Sequence, residues 1–181
     1  MSTNSIEEPA GVPKIASERQ IVALHLGEEV YGIDISTIYT VIVPHEITSV
    51  PKTPKFIRGV MNLRGQIIPV VDLRTRFDMP ALPVEEQKSS RIVIVDTEGL
   101  NAGLIVDAVS EVLTLPDGSV GPPSGLISSK DCEFITGIGR IPRGDGPNGK
   151  KEQLILLLDL VKVLAKSPQD VEKLNKMQKA A

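Results

Sequence analysis

The chain has 181 residues, of which 41% are hydrophobic, 24% are charged and only 3% are aromatic, and its net charge is −3. This composition is typical of a globular protein with one domain or two small ones. The acidic balance and the scarcity of aromatic side chains argue against nucleic acid as a partner, because they provide neither phosphate neutralisation nor base stacking. A core of Ile, Val and Leu without any Trp favours strands.

Residues 1–18 predict a disordered segment, since they are polar and contain Pro9, Gly11 and Pro13. They have neither the basic region nor the apolar region of a signal peptide. The longest apolar runs are far shorter than the roughly 20 residues that cross a bilayer. The single Cys132 has no internal disulfide partner. We therefore expect a cytoplasmic protein with no direct membrane contact.

Short strands separated by turn residues are predicted along most of the chain. Residues 20–26 and 30–35 flank a turn at Gly27, residues 40–43 end at Pro44, and residues 56–62 and 66–73 flank the Leu63-Arg64-Gly65 turn. Residues 78–90 predict a linker.

Beyond the linker, further strands are predicted at 91–95, 103–112, 134–141 and 154–158, and a Gly- and Pro-rich loop at 140–151. Ser167 followed by Pro168 is typical of a helix N-terminus. It predicts a polar C-terminal helix over 168–179, within a segment of residues 166–181. Many short strands joined by turns favour barrels or a sandwich.

An internal repeat is the most informative feature of the sequence. Three short segments of the first half recur in the same order in the second half. The distance in sequence between each segment and its counterpart grows along the chain, as insertions in the second copy would produce. The matched residues are Asp34 and Asp107, Phe56 and Phe134, and Asp72 and Asp159. We therefore predict two similar small barrels, the first over about 19–80 and the second over about 90–160.

The sequence contains no arrangement typical of catalysis or of a bound cofactor. With two histidines and one cysteine, it predicts neither a metal site nor a thiol nucleophile. Asp72 and Asp159 could form the carboxylate pair of a hydrolase. However, each ends an apolar strand before a turn of helix, where Asp is a natural N-cap. We predict a non-enzymatic protein without cofactors or metals, and keep a hydrolase that uses Asp72 and Asp159 as an alternative.

Residues 60–74, Val-Met-Asn-Leu-Arg-Gly-Gln-Ile-Ile-Pro-Val-Val-Asp-Leu-Arg, resemble the central motif of the CheW family. Residues 31–35, 50–59, 106–113 and 156–164 resemble its other segments, in the right order. The resemblance implies a mainly β fold of two SH3-like five-stranded β-barrel subdomains side by side, forming a CheW-like domain over 19–165 with a C-terminal helix.

The resemblance also implies a function. Members of this family are adaptors that bind the regulatory domain of a CheA-type histidine kinase and the cytoplasmic tip of methyl-accepting chemoreceptors. Such a protein is cytoplasmic and is recruited to membrane receptor arrays through its partners. A CheW-like adaptor of a non-flagellar pathway, which controls surface motility or gene expression, is the alternative.

Residue roles are implied by the same resemblance. Arg64, with Asn62 beside it, resembles the polar contact on the kinase-facing surface, and the alternative is a solvated turn arginine. Gly59 lets backbones approach closely. The residues assigned to the receptor-binding wall between the barrels are Ile38, Gly59, Ile92 and Val112. For the three apolar residues, plain core packing is the alternative.

One position departs from the family pattern. Where members usually have Val-x-Glu-Ile, this chain has Ile38-Tyr39-Thr40-Val41, so that Thr40 stands in place of the Glu. Arg64 therefore lacks its local acidic partner. Either Glu46 substitutes for it, or the kinase contact differs.

Overall fold

The structure is a computed structural model that describes residues 18–123, 132–146, 149–165 and 168–179. Its strands are β1 (Arg19–Leu26), β2 (Glu29–Asp34), β3 (Ile38–Ile42), β4 (Ile57–Leu63), β5 (Gln66–Asp72), β6 (Arg91–Thr97), β7 (Leu100–Val106), β8 (Ala108–Leu115), β9 (Val120–Gly121), β10 (Ile135–Gly146) and β11 (Gly149–Leu158). The α-helices are α1 (Leu73–Arg76), α2 (Leu160–Leu164) and α3 (Pro168–Lys179), and 3-10 helices span Ile35–Thr37, Val84–Ser89 and Cys132–Phe134. None of the helices in these ranges is both long and apolar enough to cross a membrane.

The strands form two sheets. Sheet I has the order β8-β1-β2-β11-β10-β9, and sheet II has the order β3-β6-β7-β5-β4. Neighbouring strands are antiparallel except for β2–β11 in sheet I and β5–β7 in sheet II, which are parallel. The predicted mainly β fold with two small subdomains and a C-terminal helix is confirmed.

The internal repeat occupies equivalent places in the two sheets. The backbone N–H of Asp72 donates to the carbonyl of Phe56, and that of Asp159 donates to the carbonyl of Phe134, both at 2.8 Å. Each aspartate then begins a short helix, α1 or α2. The β4–β5–α1 segment of sheet II therefore corresponds to the β10–β11–α2 segment of sheet I.

The strands are not divided between the sheets near residue 80, as barrels over 19–80 and 90–160 require. Sheet I contains β1 and β2 of the first repeat, whereas β3, β4 and β5 of that repeat belong to sheet II. Conversely, β6 and β7 of the second repeat belong to sheet II. The hairpin that opens each repeat pairs with the later strands of the other repeat, so the two halves of the chain are interlaced.

The chain crosses between the sheets at two short connections. The first is the 3-10 helix Ile35–Thr37, which links β2 to β3, and the second is Asp107, the single residue between β7 and β8. Asp34 starts the first crossing, since its carboxylate accepts a hydrogen bond from the Ser36 N–H at 3.0 Å. The repeat pair Asp34 and Asp107 therefore marks both crossings.

Three apolar clusters hold the molecule together. The largest lies between the sheets and includes Leu24, Ile33, Val71, Leu104 and Leu158. A second cluster belongs to sheet II and is formed by Met61, Ile68, Val70, Ile92 and Ile94. A third belongs to sheet I and is formed by Ile21, Leu115, Ile155 and Leu157. Each sheet thus has a core of its own and shares the central one.

Two predicted segments differ from the structure. The strand predicted over 103–112 is two strands, β7 and β8, because Asp107 interrupts the ladder. Of the loop predicted over 140–151, residues 140–146 belong to β10 and residues 149–151 to β11, and Arg140 pairs with Leu154 and Arg143 with Lys151. The predicted helix is present as α3, while Ser167 and residues 1–17 lie outside the described residues.

Candidate partner-binding surfaces

The turn between β4 and β5 presents an arginine in a fixed geometry. Leu63 pairs with Gln66, which leaves a two-residue loop of Arg64 and Gly65 with φ values of 51° and 83°. Two positive φ values in succession are the signature of a type I′ hairpin turn, which fits the twist of the flanking strands. The Asn62 side-chain oxygen accepts a hydrogen bond from the Gly65 N–H at 2.9 Å. Asn62 therefore braces the turn that displays Arg64.

Arg64 is exposed and forms no salt bridge with any residue in the described part of the chain. In particular, Glu46 does not pair with it there. A non-glycine residue in the left-handed region carries a conformational cost of about 1 kcal/mol. The turn type accounts for this conformation, since Glu98 and Gly99 adopt the same geometry in the β6–β7 turn, with φ values of 52° and 83°.

Gly59 is buried beneath the segment that precedes β4. Its φ is 143°, and a Cβ atom built on it would lie 2.0 Å from the carbonyl oxygen of Thr48. The contact arises because Thr48 and Val60 form an antiparallel bridge, with N···O distances of 2.8 and 2.9 Å. Gly59 permits the close approach of two backbones, and its burial gives it no accessible surface for a receptor.

The three apolar residues predicted to form one receptor wall lie in different environments. Ile38 is half-buried at the start of β3 and packs against the central cluster. Ile92 has 0% of its surface exposed and belongs to the sheet II core, so a direct receptor contact by its side chain is inconsistent with the structure. Val112 is 52% exposed on β8. Only Ile38 and Val112 retain surface that a partner could touch.

The edge strand of sheet II carries an apolar surface that the sequence did not reveal. Tyr39 is 65% exposed, and Val41 and Val43 are also exposed, while Ile38, Thr40 and Ile42 between them face inward. We call the exposed set Tyr39, Val41 and Val43 the β3 patch. An edge strand with unpaired backbone groups and apolar side chains is a typical pairing surface. The sequence feature that could have indicated this surface is that β3 has apolar residues on both of its faces, although only one face can be covered by the core.

Beside the second crossing, an ion pair joins the two sheets. Arg74 donates to both carboxylate oxygens of Asp107, through Nε at 2.7 Å and a terminal nitrogen at 2.6 Å, and the Gly27 N–H donates to the same carboxylate at 2.6 Å. Burial raises the pKa of Asp107, but the hydrogen bonds from Arg74 and Gly27 outweigh burial and leave that pKa below its ordinary value. The hydrogen bond with Asp107 raises the pKa of Arg74.

A second arginine holds the helices together. Arg76 is buried and donates to the carbonyls of Val163 at 2.8 Å and Lys162 at 3.0 Å, in the last turn of α2. Its guanidinium lies between the rings of Phe56 and Phe134, 4.2 and 4.6 Å from their centroids. Burial lowers the pKa of Arg76. Arg76 thus links α1 of sheet II to α2 of sheet I.

Asp72 and Asp159 are helix N-caps, as predicted. The Asp72 carboxylate accepts from the Thr75 N–H at 3.3 Å, and the Asp159 carboxylate accepts from the Lys162 N–H at 3.2 Å. Within the described ranges, no group of three or more His, Cys, Asp or Glu side chains could hold a metal ion. Each of the two carboxylates thus accepts a hydrogen bond from the backbone of the helix that it begins.

Residues 20–167 match the protein family described as the CheW-like domain. The chain is 33% identical over 160 residues to the chemotaxis protein CheW of Klebsiella aerogenes, covering 86% of this chain and 89% of that protein. It is 34% identical over 147 residues to the chemotaxis protein CheW of Thermotoga maritima, covering 81% and 88%. The crystal structure of the scaffolding protein TtCheW from Thermoanaerobacter tengcongensis matches with a TM-score of 0.67 and 38% identity over 81% of this chain and 92% of that one. The interlaced two-sheet fold, the braced Asn-Leu-Arg-Gly turn and these matches together place the chain in the CheW family.

Proposed function

We propose that the chain is a non-enzymatic adaptor that couples a CheA-type histidine kinase to the cytoplasmic tips of methyl-accepting chemoreceptors. Membership of the CheW family supports the general role of a chemotaxis scaffold. The observation that carries the kinase contact is Arg64, exposed on a braced turn and unpaired among the described residues. The protein acts in the cytoplasm and reaches the membrane array through its partners.

On the kinase side, Arg64 is the anchor and Asn62 positions it. An exposed arginine can form charge-assisted hydrogen bonds with a carboxylate of the partner, which are stronger than neutral ones. Thr40 cannot supply that carboxylate, so it comes from the kinase. The β3 patch lies on the same sheet, at the opposite end of its strand order, and offers a second, apolar surface.

On the receptor side, Val112 and Ile38 contact the helical hairpin tip. They lie on β8, an edge strand of sheet I, and on β3, an edge strand of sheet II, so each sheet supplies one apolar contact. The receptor helix binds these side chains through its apolar stripe. Gly59 and Ile92 do not touch the receptor. Gly59 allows the close approach of two backbones, and Ile92 packs in the core of sheet II. Signalling then changes the relative populations of the bound geometries.

The kinase contact is tested with an Arg64→Glu variant and a matched Arg140→Glu control, which reverses an exposed arginine on β10 of the other sheet. We expect Arg64→Glu to weaken binding to the kinase regulatory domain at least about tenfold, since a charge-assisted pair becomes a repulsion. Isothermal titration calorimetry measures the affinity, and circular dichroism checks the fold. Equal affinities of Arg64→Glu and the control would remove Arg64 from the kinase site.

The receptor contact is tested with Val112→Arg and with Val161→Arg as its control, because both valines are about half exposed. A receptor cytoplasmic fragment should bind Val161→Arg normally and Val112→Arg at least about tenfold more weakly, since a charge then faces the apolar stripe of the helix. Kinase binding should be unchanged in both variants. Normal receptor binding by Val112→Arg would contradict the assignment.

A further inference from the structure

A cavity of about 370 Å³ lies beside sheet II, where β5 and β7 end. The segment after β3 lines one side of it with Pro44 and Ile47, and the linker lines another side with Met79 and Leu82. Its volume falls within the range of about 300–1,000 Å³ that is usual for small-molecule sites. It contains none of the residues to which we assign kinase or receptor contacts.

Four charged side chains line this cavity, and they form two unequal pairs. Arg74 and Asp107 are joined by two short hydrogen bonds, so neither charge is available to a ligand. Arg58 and Asp72 face each other at 3.9 Å between a terminal nitrogen and Oδ2, which is beyond hydrogen-bond distance. The Arg58 side chain is 58% exposed. The cavity therefore presents the Arg58 guanidinium and the Asp72 carboxylate side by side. Each of these groups can still form a shorter, charge-assisted hydrogen bond with a ligand.

The N-cap contact of Asp72 leaves this capacity in place. Its Oδ1 accepts from the Thr75 N–H, whereas its Oδ2 is the oxygen that faces Arg58. A molecule with adjacent ammonium and carboxylate groups could replace the long ion pair by two charge-assisted hydrogen bonds. The apolar part of such a molecule would pack against Ile47, Leu82 and Ile105.

We propose that this cavity binds a small zwitterion with an apolar side chain, of the chemical class of a free α-amino acid. The ammonium group binds Asp72 Oδ2, and the carboxylate binds the guanidinium of Arg58. The proposal goes beyond the adaptor role, which requires no small ligand. Because Arg74 and Asp107 also line the cavity and tie it to Gly27 of sheet I, an occupant adds contacts at the junction of the two sheets.

The ligand class is tested by NMR chemical-shift titration of the full chain with L-leucine, L-methionine and L-valine. Leucinamide, which lacks the carboxylate, and N-acetyl-leucine, which lacks the ammonium, serve as matched probes. We expect at least one amino acid to give saturable shifts at Ile47, Leu82 and Ile105, and both leucine derivatives to bind at least about tenfold more weakly than leucine. If no amino acid saturates these shifts, or if either derivative binds as well as leucine, the proposal is wrong.

The site is tested with Arg58→Gln and Asp72→Asn. Asparagine is as good an N-cap as aspartate, so Asp72→Asn removes the charge and keeps the cap of α1. Asp159→Asn is the control, because it makes the same change at the N-cap of α2 and Asp159 does not line the cavity. Both site variants should lose the saturable shifts, while Asp159→Asn keeps them. Unchanged binding in Arg58→Gln, whose side chain is exposed and forms only the long ion pair with Asp72, would overturn the assignment.

Discussion

At the scale of single residues, the fold depends on a few places where two backbones come unusually close, and Gly59 is the clearest of them. A side chain at this position would meet the carbonyl of Thr48 and would also occupy an unfavourable φ of 143°. We expect Gly59→Ala to lower the free energy of unfolding by more than about 3 kcal/mol, since overpacking and backbone strain add together.

Urea denaturation measures this loss. Gly121→Ala is the matched control, because a Cβ atom there meets nothing within 4 Å and the φ of Gly121 is not positive. The control should stay within about 0.5 kcal/mol of the parent chain. A similar small change in Gly59→Ala would show that the segment around Thr48 moves away without cost.

The ion pair at Asp107 makes a prediction about pH. Its pKa is lower in the folded protein than its ordinary value, so the folded state binds this proton less tightly than the unfolded chain. The stabilisation is therefore complete above the unfolded carboxyl pKa of about 3.9, and it is lost as the pH falls through the lower folded value.

We expect Asp107→Asn to cost about 3 kcal/mol near neutral pH, because Arg74 is left buried without its partner. The difference between the parent chain and the variant should shrink as the pH falls below about 3.9. Unfolding curves from pH 7 to the acid limit of the folded state measure it, with the exposed Glu98→Gln as control. A difference that does not change with pH would contradict the role of the Asp107 charge.

The sequence predicted some residue roles and could not predict others. The N-caps Asp72 and Asp159 were predictable, because the signal is local: an apolar strand followed by Asp and a helical turn. The burial of Ile92 was not predictable, because β6 is apolar on both faces and the sequence does not say which side is covered. The exposure of Val112 depends on β8 being an edge strand, which is a property of the whole sheet.

At the scale of elements, helix α3 is polar in composition yet docks on the central core. Leu174 is fully buried in the cluster between the sheets, and Met177 packs against the same cluster. A 12-residue helix is marginal in water without such packing. Leu174, with Met177 beside it, therefore docks the helix on the central cluster.

We expect Leu174→Ala to weaken this docking by about 2–5 kcal/mol, the usual cost of truncating a buried leucine. The amides of α3 should then exchange with deuterium faster, while those of β6 and β7 keep their protection. The exposed Lys173→Ala is the control within the same helix. Unchanged exchange in α3 would mean that other contacts hold it.

The sequence predicted the hairpins well, but it did not predict which other strands each hairpin pairs with. The turns at Gly27 and at Arg64-Gly65 were visible in the sequence, because turn residues stand between two apolar runs. The pairing of β1 with β8 and of β5 with β7 joins residues far apart in the chain, and no local pattern encodes it. The repeat was real, but a repeat does not specify whether its copies fold separately or exchange strands.

At the scale of the whole molecule, the interlaced arrangement predicts that neither half can fold alone. A cut in the linker gives residues 1–82, which include β1 to β5, and residues 83–181, which include β6 to β11. Neither fragment contains all the strands of a sheet. Each fragment would leave apolar strand edges and the central core uncovered.

We expect each fragment to be unfolded by circular dichroism and the two to recover the native spectrum when they are mixed or co-expressed. Mixing should also restore the NMR shifts of the central cluster. A fragment whose NMR spectrum alone shows the dispersed signals of a folded protein would contradict the prediction that neither half folds without the other.

The two crossings between the sheets also determine how the molecule responds to force. They are three residues and one residue long, and both are pinned by aspartate hydrogen bonds, Asp34 to Ser36 and Asp107 to Arg74 and Gly27. A hinge motion requires connecting segments that can change their backbone conformation, and these two short, hydrogen-bonded segments have little freedom to do so. When a partner pulls on one sheet, the other sheet must follow with little change in angle. The protein is therefore suited to transmit a displacement from one sheet to the other instead of absorbing it.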